Sequence, residues 1–436
     1  MTTTGMRAPW RSVGNSALVQ VVVTGLSGLL GIVTARLIIE QFGVAQYAQY
    51  GLLASLPALI PFADLGMAAV VVNAMASTDR VDTDPVVRRT LTSAFRVMLC
   101  SGLVITAVGA LLGLLGWWPA LLGPGLLDGG AATATVCVMV LGLALPLGVG
   151  ARILVGLGRN ALQIALTGLT APLVMAGVLL VLLAGNGSGT FLAVAPYAAA
   201  AVVAVVLLVT ASRLVRPQVG AALRDVPRLR TAPGVRVFDL AWPMLVQMVS
   251  LPIAMQTGRI LLSHQGTPLD LAQYNLASQL FGVVLAAVST AGVALWPYFA
   301  RARSQSVKAS PFRASGVFVV AGILLALVLA ALLPVVVPLV TDGEFGLELP
   351  LVTAFVVFTV LQAAKYPVGM YMTDGPGLRA QMLPIVLMIP LNLGLIWWAI
   401  PHLGAAGPVW ATSVSVLVCQ VIPNALWVRR SVARQA

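Results

Sequence analysis

Five ionisable residues, Arg36, Asp64, Arg96, Arg259 and Lys365, fall inside long apolar runs of this chain. An ionised group at membrane depth costs about 2.5 to 3.5 kcal/mol even on insertion-derived scales, so each needs a cavity or a partner. Four of the five are cations. A guanidinium presents paired donors that match phosphate oxygens, and an ammonium presents a compact positive charge to the same group. Arg36, Arg259 and Lys365 are therefore expected to line a cationic cavity for an anionic, phosphate-bearing ligand. Each also has a plainer role open to it. Arg36 and Arg259 lie near the outer third of their runs, within reach of the interface, and Arg36 has Glu40 one helical turn on. Lys365 lies deeper, with Gln362 as its polar neighbour. Arg96 and Asp64 fall at comparable depth in adjacent runs. They form either a structural ion pair or a coupling site in which Asp64, the lone intramembrane carboxylate, carries a proton.

Other chemistry finds little support. His264 and His402 fall in turns without an acidic companion at ligand or triad spacing, and are expected to be solvated. Cys100, Cys137 and Cys419 lie in apolar runs with no CxxC spacing and are expected to be small core residues. The chain has no HExxH, no GxSxG and no nucleotide-binding glycine loop. It is not expected to be an enzyme or to hold a metal or other cofactor.

The elements that position these residues follow from composition. Of the 436 residues, 59% are hydrophobic and 9% charged, against about 25% charged in a soluble domain. That excludes a water-soluble enzyme. A bilayer-crossing helix uses about 20 to 25 residues, and twelve apolar runs meet the requirement, at roughly 12–39, 45–76, 89–116, 131–157, 160–184, 190–212, 237–263, 270–299, 312–340, 348–373, 380–400 and 404–428. The expected fold is all-α and polytopic. The N-terminus reads as an uncleaved first span, since its apolar run is too long for a signal peptide. Net charge is +12, which in a soluble protein would suggest nucleic acid as a partner; here 21 of the 25 Lys and Arg fall on one side of the twelve-span map and none in the opposite turns. By the positive-inside rule both termini are cytoplasmic and the chain sits in the cell membrane, with lipid and not nucleic acid as its surroundings. Trp117, Trp118, Trp242, Trp296, Trp397, Trp398 and Trp427 lie near span ends, where an indole anchors to the interface.

A basic stretch, 214–235, with Pro217, Pro227 and Pro233, separates a six-span lobe at 1–213 from a second at 236–436. Its composition suits a linker lying on anionic lipid. The halves repeat weakly: Leu18-Val19-Gln20 returns as Leu245-Val246-Gln247, Arg36-Leu37-Ile38-Ile39 as Arg259-Ile260-Leu261-Leu262, and Ala48-Gln49-Tyr50 as Ala272-Gln273-Tyr274. Gln163 and Pro172 return as Gln381 and Pro390. Six spans per half put both copies in the membrane in the same sense, related by a pseudo-two-fold axis along its normal, an arrangement that suits alternating access. Pro243 and Pro252 are candidate hinges, and Gly25, Gly28 and Gly31 give the first span a face for close helix packing.

These segments carry a resemblance. Thr34-Ala35-Arg36-Leu37-Ile38-Ile39, Phe42-Gly43, Tyr47-Ala48-Gln49-Tyr50-Gly51 and Phe62-Ala63-Asp64-Leu65-Gly66 resemble the opening of bacterial polysaccharide flippases of the multidrug/oligosaccharidyl-lipid/polysaccharide (MOP) exporter superfamily. Arg259 to Leu262 and Ala272 to Ser278 look like the start of that family's second lobe, and Pro390-Leu391-Asn392-Leu393 with Gly404-Ala405-Ala406-Gly407 like its end. The resemblance implies a monomeric, two-lobed carrier that turns an undecaprenyl-pyrophosphate-linked oligosaccharide from the inner to the outer leaflet, coupled to protons or sodium. Arg36, Arg259 and Lys365 are the positions that would receive the pyrophosphate. The family often has an acid before the second-lobe arginine, where this chain has Gly258. The alternatives are a cation-coupled multidrug exporter of the same superfamily, which wants more carboxylates than Asp64 alone, and a membrane-embedded glycan ligase or glycosyltransferase, which wants a large outer loop.

Overall fold

The computed structural model describes all residues except 1–6, 61, 62, 64, 77, 79, 124, 186–188, 229–249, 251, 252, 254, 294, 296–298, 300–309, 374, 435 and 436. Asp64, the proline pair Pro243 and Pro252, Trp242, Trp296 and the end of the 214–235 stretch lie outside the described residues. The helices run in chain order α1 (Arg7–Phe42), α2 (Val44–Ala54), α3 (Met67–Ala76), α4 (Pro85–Leu114), α5 (Trp118–Leu122), α6 (Gly130–Ala144), α7 (Val149–Gly156), α8 (Asn160–Thr167), α9 (Thr170–Leu183), α10 (Val194–Leu214), α11 (Gln218–Asp225), α12 (Gly258–Gln265), α13 (Pro268–Val293), α14 (Pro311–Thr341), α15 (Leu349–Tyr371), α16 (Gly375–Leu403), α17 (Gly407–Val416) and α18 (Ile422–Arg434). There is no strand among the described residues.

Among the described residues nine runs are long and apolar enough to cross a membrane. They account for ten of the twelve predicted spans, because the last run, Pro376–Ser431, holds two, which reverse direction at Gly404 (φ +51°). The second predicted span is broken between α2 and α3, and most of the seventh lies outside the described residues. The chain is thus an all-α, multi-pass membrane protein. Local chemistry starts the long helices: Asp84 accepts a hydrogen bond from the Val86 amide (2.7 Å) with Pro85 in the first turn of α4, and Ser310 with Pro311 does the same for α14, both ordinary helix starts. Their outward faces are rows of exposed Leu and Val, such as Leu103, Val104 and Leu111 on α4 and Val317, Leu324 and Val335 on α14. Hydrocarbon satisfies such a face as well as a protein core does.

The chain forms two compact units: unit 1 is Met1–Thr34, Ile60–Pro119 and Leu127–Trp242, and unit 2 is Ala35–Leu59, Ala120–Leu126 and Pro243–Ala436. In unit 1 a core of Met67, Val71, Leu91, Phe95, Ile153, Leu207 and Val219 joins α3, α4, α7, α10 and α11. Close backbone approach occurs between α4 and α6, where a Cβ on Gly102 would stand 2.3 Å from the Gly142 carbonyl oxygen, and at Gly150, 2.4 Å from the Leu208 backbone. Of the three first-span glycines, Gly25 makes no close helix contact: it has open space beside it, with the neighbouring Leu26 and Leu29 exposed.

Unit 2 has α13 at its centre, packed on α2 and α15, with α14 and α17 packed on α15. Phe281 and Phe355 stack at 5.2 Å between α13 and α15. The repeated segments Ala48-Gln49-Tyr50 and Ala272-Gln273-Tyr274 lie on α2 and α13, so two copies of one sequence element pack together inside this unit. Turns that the charge pattern gives to one side also bond to one another: Gln273 Nε2 donates to the Gly346 carbonyl (2.8 Å) and the Ala405 amide to Asp270 Oδ1 (3.2 Å).

Three smaller expectations change. Trp118 is buried, donating through Nε1 to Thr135 Oγ1 at 2.8 Å, so it is a packing residue, whereas Trp117, Trp397 and Trp398 are exposed. Cys100 is exposed on the outward face of α4 while Cys137 and Cys419 are buried. His264 is held between the Ile260 and Ala120 carbonyls at 2.7 and 3.1 Å instead of being solvated.

Candidate functional site

Arg36, at the C-terminal end of α1, is 38% exposed and pairs with Glu40 (3.5 Å) and Asp342 (3.3 Å). Its charge is balanced by two carboxylates, one a helical turn along α1 and the other at the end of α14. Arg259, at the first turn of α12, is half-buried and differently used. It donates to the Gly51 carbonyl (3.2 Å) and to Ser278 Oγ (2.9 Å), and its guanidinium stands 5.6 Å from the centre of the Tyr274 ring. It therefore ties α12 to α2 and α13. The two repeat-equivalent arginines thus have unlike surroundings. At Gly258, where the resemblance leads one to expect an acid, a Cβ would meet Pro408 Cβ at 3.1 Å, so a larger side chain there requires Pro408 to shift.

Arg96 on α4 donates to the Val226 carbonyl (2.9 Å) and the Asp225 carbonyl (2.7 Å) at the end of α11. A guanidinium there satisfies carbonyls that the helix end leaves open. Asp225 itself accepts from Arg88 at 2.7 Å. A pairing of Arg96 with Asp64 concerns a residue outside the described set.

Among the predicted residues Arg96 borders an apolar cavity of about 480 Å³ in unit 1, whereas Lys365 on α15 faces one with several polar side chains. The cavity, about 310 Å³, lies within unit 2 and is lined by Gln256, Tyr274, Ser278, Gln362, Lys365, Tyr366 and Thr412 together with apolar Met255, Leu285, Phe355, Phe358 and Val409. Helical spacing makes this wall: Tyr274, Ser278 and Gly282 succeed one another every four residues on α13, and Gln362 is one turn from Lys365 on α15. A second cavity of about 170 Å³ is lined by Phe312, Ser315, Lys365, Gln420 and Asn424. Lys365 borders both. Gln420 belongs to a π-helical turn, Leu417–Val421, between α17 and α18; such turns frequently mark functional positions. No carboxylate lines either cavity among the described residues. The sequence reading missed Tyr274, Ser278 and Gln420 as cavity residues; a stripe of polar side chains at four-residue spacing in α13 was the available signal. No group of three His, Cys, Asp or Glu is placed to hold a metal among the described residues.

No protein-family model matches the chain and no curated protein matches it in sequence. Solved structures do match in fold. An inward-facing multidrug resistance MATE family transporter of the MOP superfamily superposes with a TM-score of 0.64 at 16% identity, covering 96% of this chain and 98% of that one. The lipid II flippase MurJ, in an inward closed conformation, gives 0.65 at 14% identity, covering 94% and 87%. A MOP superfamily transporter from Pyrococcus furiosus, described by a reverse polarity of its binding pocket, gives 0.60 at 14% identity, covering 98% and 96%. The chain has the fold of MOP superfamily transporters.

Proposed function

We propose that this protein is a carrier that flips a lipid-linked oligosaccharide, on undecaprenyl pyrophosphate, from the inner to the outer leaflet by alternating access during cell-surface polysaccharide synthesis. The single observation that carries the reading is Lys365, a cation beside two cavities that hold no carboxylate among the described residues. Such surroundings favour an anionic headgroup and disfavour a cationic drug. The fold is shared with a lipid II flippase, and the sequence resemblance points the same way. In this reading Lys365 meets the pyrophosphate, Arg259 shapes the wall behind Tyr274 and Ser278, and Arg36 contributes least because Glu40 and Asp342 already balance it. The division into lobes at 1–213 and 236–436, a cytoplasmic linker at 214–235, cytoplasmic termini, a monomeric state and proton or sodium coupling belong to the same proposal.

A second reading is favoured by the MATE transporters among the fold relatives: a cation-coupled multidrug exporter in which Asp64 binds the coupling ion. Complementation of a strain lacking its polysaccharide flippase separates the two. Lys365→Ala is expected to abolish glycan export while the protein still reaches the membrane, and Arg36→Ala to retain most of it. Full export by Lys365→Ala, or a drug-efflux phenotype abolished by Asp64→Asn, would overturn the flippase reading.

A further inference from the structure

Lys365 poses an electrostatic problem that its surroundings leave unsolved. Among the described residues neither its ammonium nor the side chain of Gln362, 5% exposed, has a hydrogen-bond or carboxylate partner. The ring of Tyr366, 5.8 Å from Lys365 Nζ, gives only a weak contact. Both donors are on one face of α15 and both line the larger cavity. The opposite wall adds positive potential, because Arg259 donates to Ser278 Oγ and stands over Tyr274. With that acceptor occupied, the Ser278 hydroxyl hydrogen is free to point into the cavity. Thr412 is not available, since its hydroxyl donates to the Pro408 carbonyl. One cation, an amide and a hydroxyl thus line one small, low-dielectric space, with the Arg259 guanidinium behind its wall and no negative group in its described lining, and such a space concentrates anions.

We propose that this cavity binds a small inorganic anion of the chloride class, held by the Lys365 ammonium and the Gln362 amide. The anion supplies the counter-charge that the protein omits, and it reaches Lys365 from either adjoining cavity. The inference shares Lys365 with the flippase reading and adds a ligand to it: a dissolved anion occupies the site when no pyrophosphate does.

The test uses the purified full-length protein in detergent, with thermal unfolding followed as sodium gluconate is replaced by sodium chloride at constant ionic strength. The midpoint is expected to rise and saturate. Lys365→Arg should keep the response, and Lys365→Gln should weaken the apparent affinity by about tenfold or more, the scale of losing a charged hydrogen bond. Gln362→Glu places a carboxylate one turn from Lys365 and should abolish the response while leaving the protein folded, which covers the case in which Lys365→Gln does not fold. Crystals grown in bromide should show an anomalous peak beside Lys365 Nζ. No saturable chloride response, or an equal one in Gln362→Glu, overturns the proposal. A response to sodium pyrophosphate without one to chloride also overturns it and leaves the flippase reading standing. Chloride binding together with full export by Lys365→Ala would uphold the anion site and overturn that reading.

Discussion

Lys365, Arg259 and Arg36 carry the same formal charge, and their neighbours divide them into three kinds of work. Arg36 sits in an exposed pair, where screening and side-chain entropy leave little net stabilisation; Arg36→Ala is expected to cost at most about 1 kcal/mol, read as a small shift in thermal midpoint. Gly51 is far less tolerant. A Cβ there would stand 2.1 Å from Asn275 Nδ2, and Asn275 is itself buried and donating to the Ala48 carbonyl. Gly51→Ala should therefore destabilise unit 2 by about 1 to 3 kcal/mol, the usual cost of overfilling a packed site, measurable by thermal unfolding against Gly25→Ala, where space is open. At this scale the sequence identified which side chains were out of place in an apolar run, because a charge in hydrocarbon is conspicuous. It did not show which would be neutralised. Asp342 is 306 positions from Arg36, and only folding brings them together.

Among the elements, the long helices were legible from apolar length alone, since each apolar run is bounded by charge or by Gly and Pro. The break between α2 and α3 was not, because 45–76 reads as one apolar run. Nor was α11, whose residues looked like a basic linker. It is an amphipathic helix that buries Gln218, Val219, Ala222 and Asp225 and leaves Arg224 and Leu223 outside. Gln218 donates to the Asp84 carbonyl at one end, and Asp225 accepts from Arg88 at the other. Asp225→Ala removes a carboxylate that is only 10% exposed and should loosen α11 by about 1.5 to 3 kcal/mol, the worth of a charged hydrogen bond. Faster amide exchange confined to 218–226 would register it, and unchanged exchange would show that the apolar contacts alone hold the helix.

For the whole molecule, the charge pattern yields a test that needs no substrate. Single cysteines placed at Arg216 and at Glu344, in a background with Cys100, Cys137 and Cys419 replaced, should react with an impermeant thiol reagent from opposite faces of the membrane, Glu344→Cys from outside intact cells. Labelling of both from one face would reverse the topology. The twelve-span map was readable because hydropathy and charge are summed over many residues, whereas the boundaries of the compact units were not, since they depend on contacts between distant segments. Unit 2 takes Ala35–Leu59 from the first half of the chain, and this bears on how such a chain can be divided. A fragment beginning at residue 236 lacks the partners that Gly51, Ala48 and Tyr47 give to Arg259, Asn275 and Gln279. Produced alone it should be degraded, and produced beside 1–235 it should be rescued. The second half is thus an incomplete folding unit, and the chain's two halves are held together by a segment that one supplies to the other.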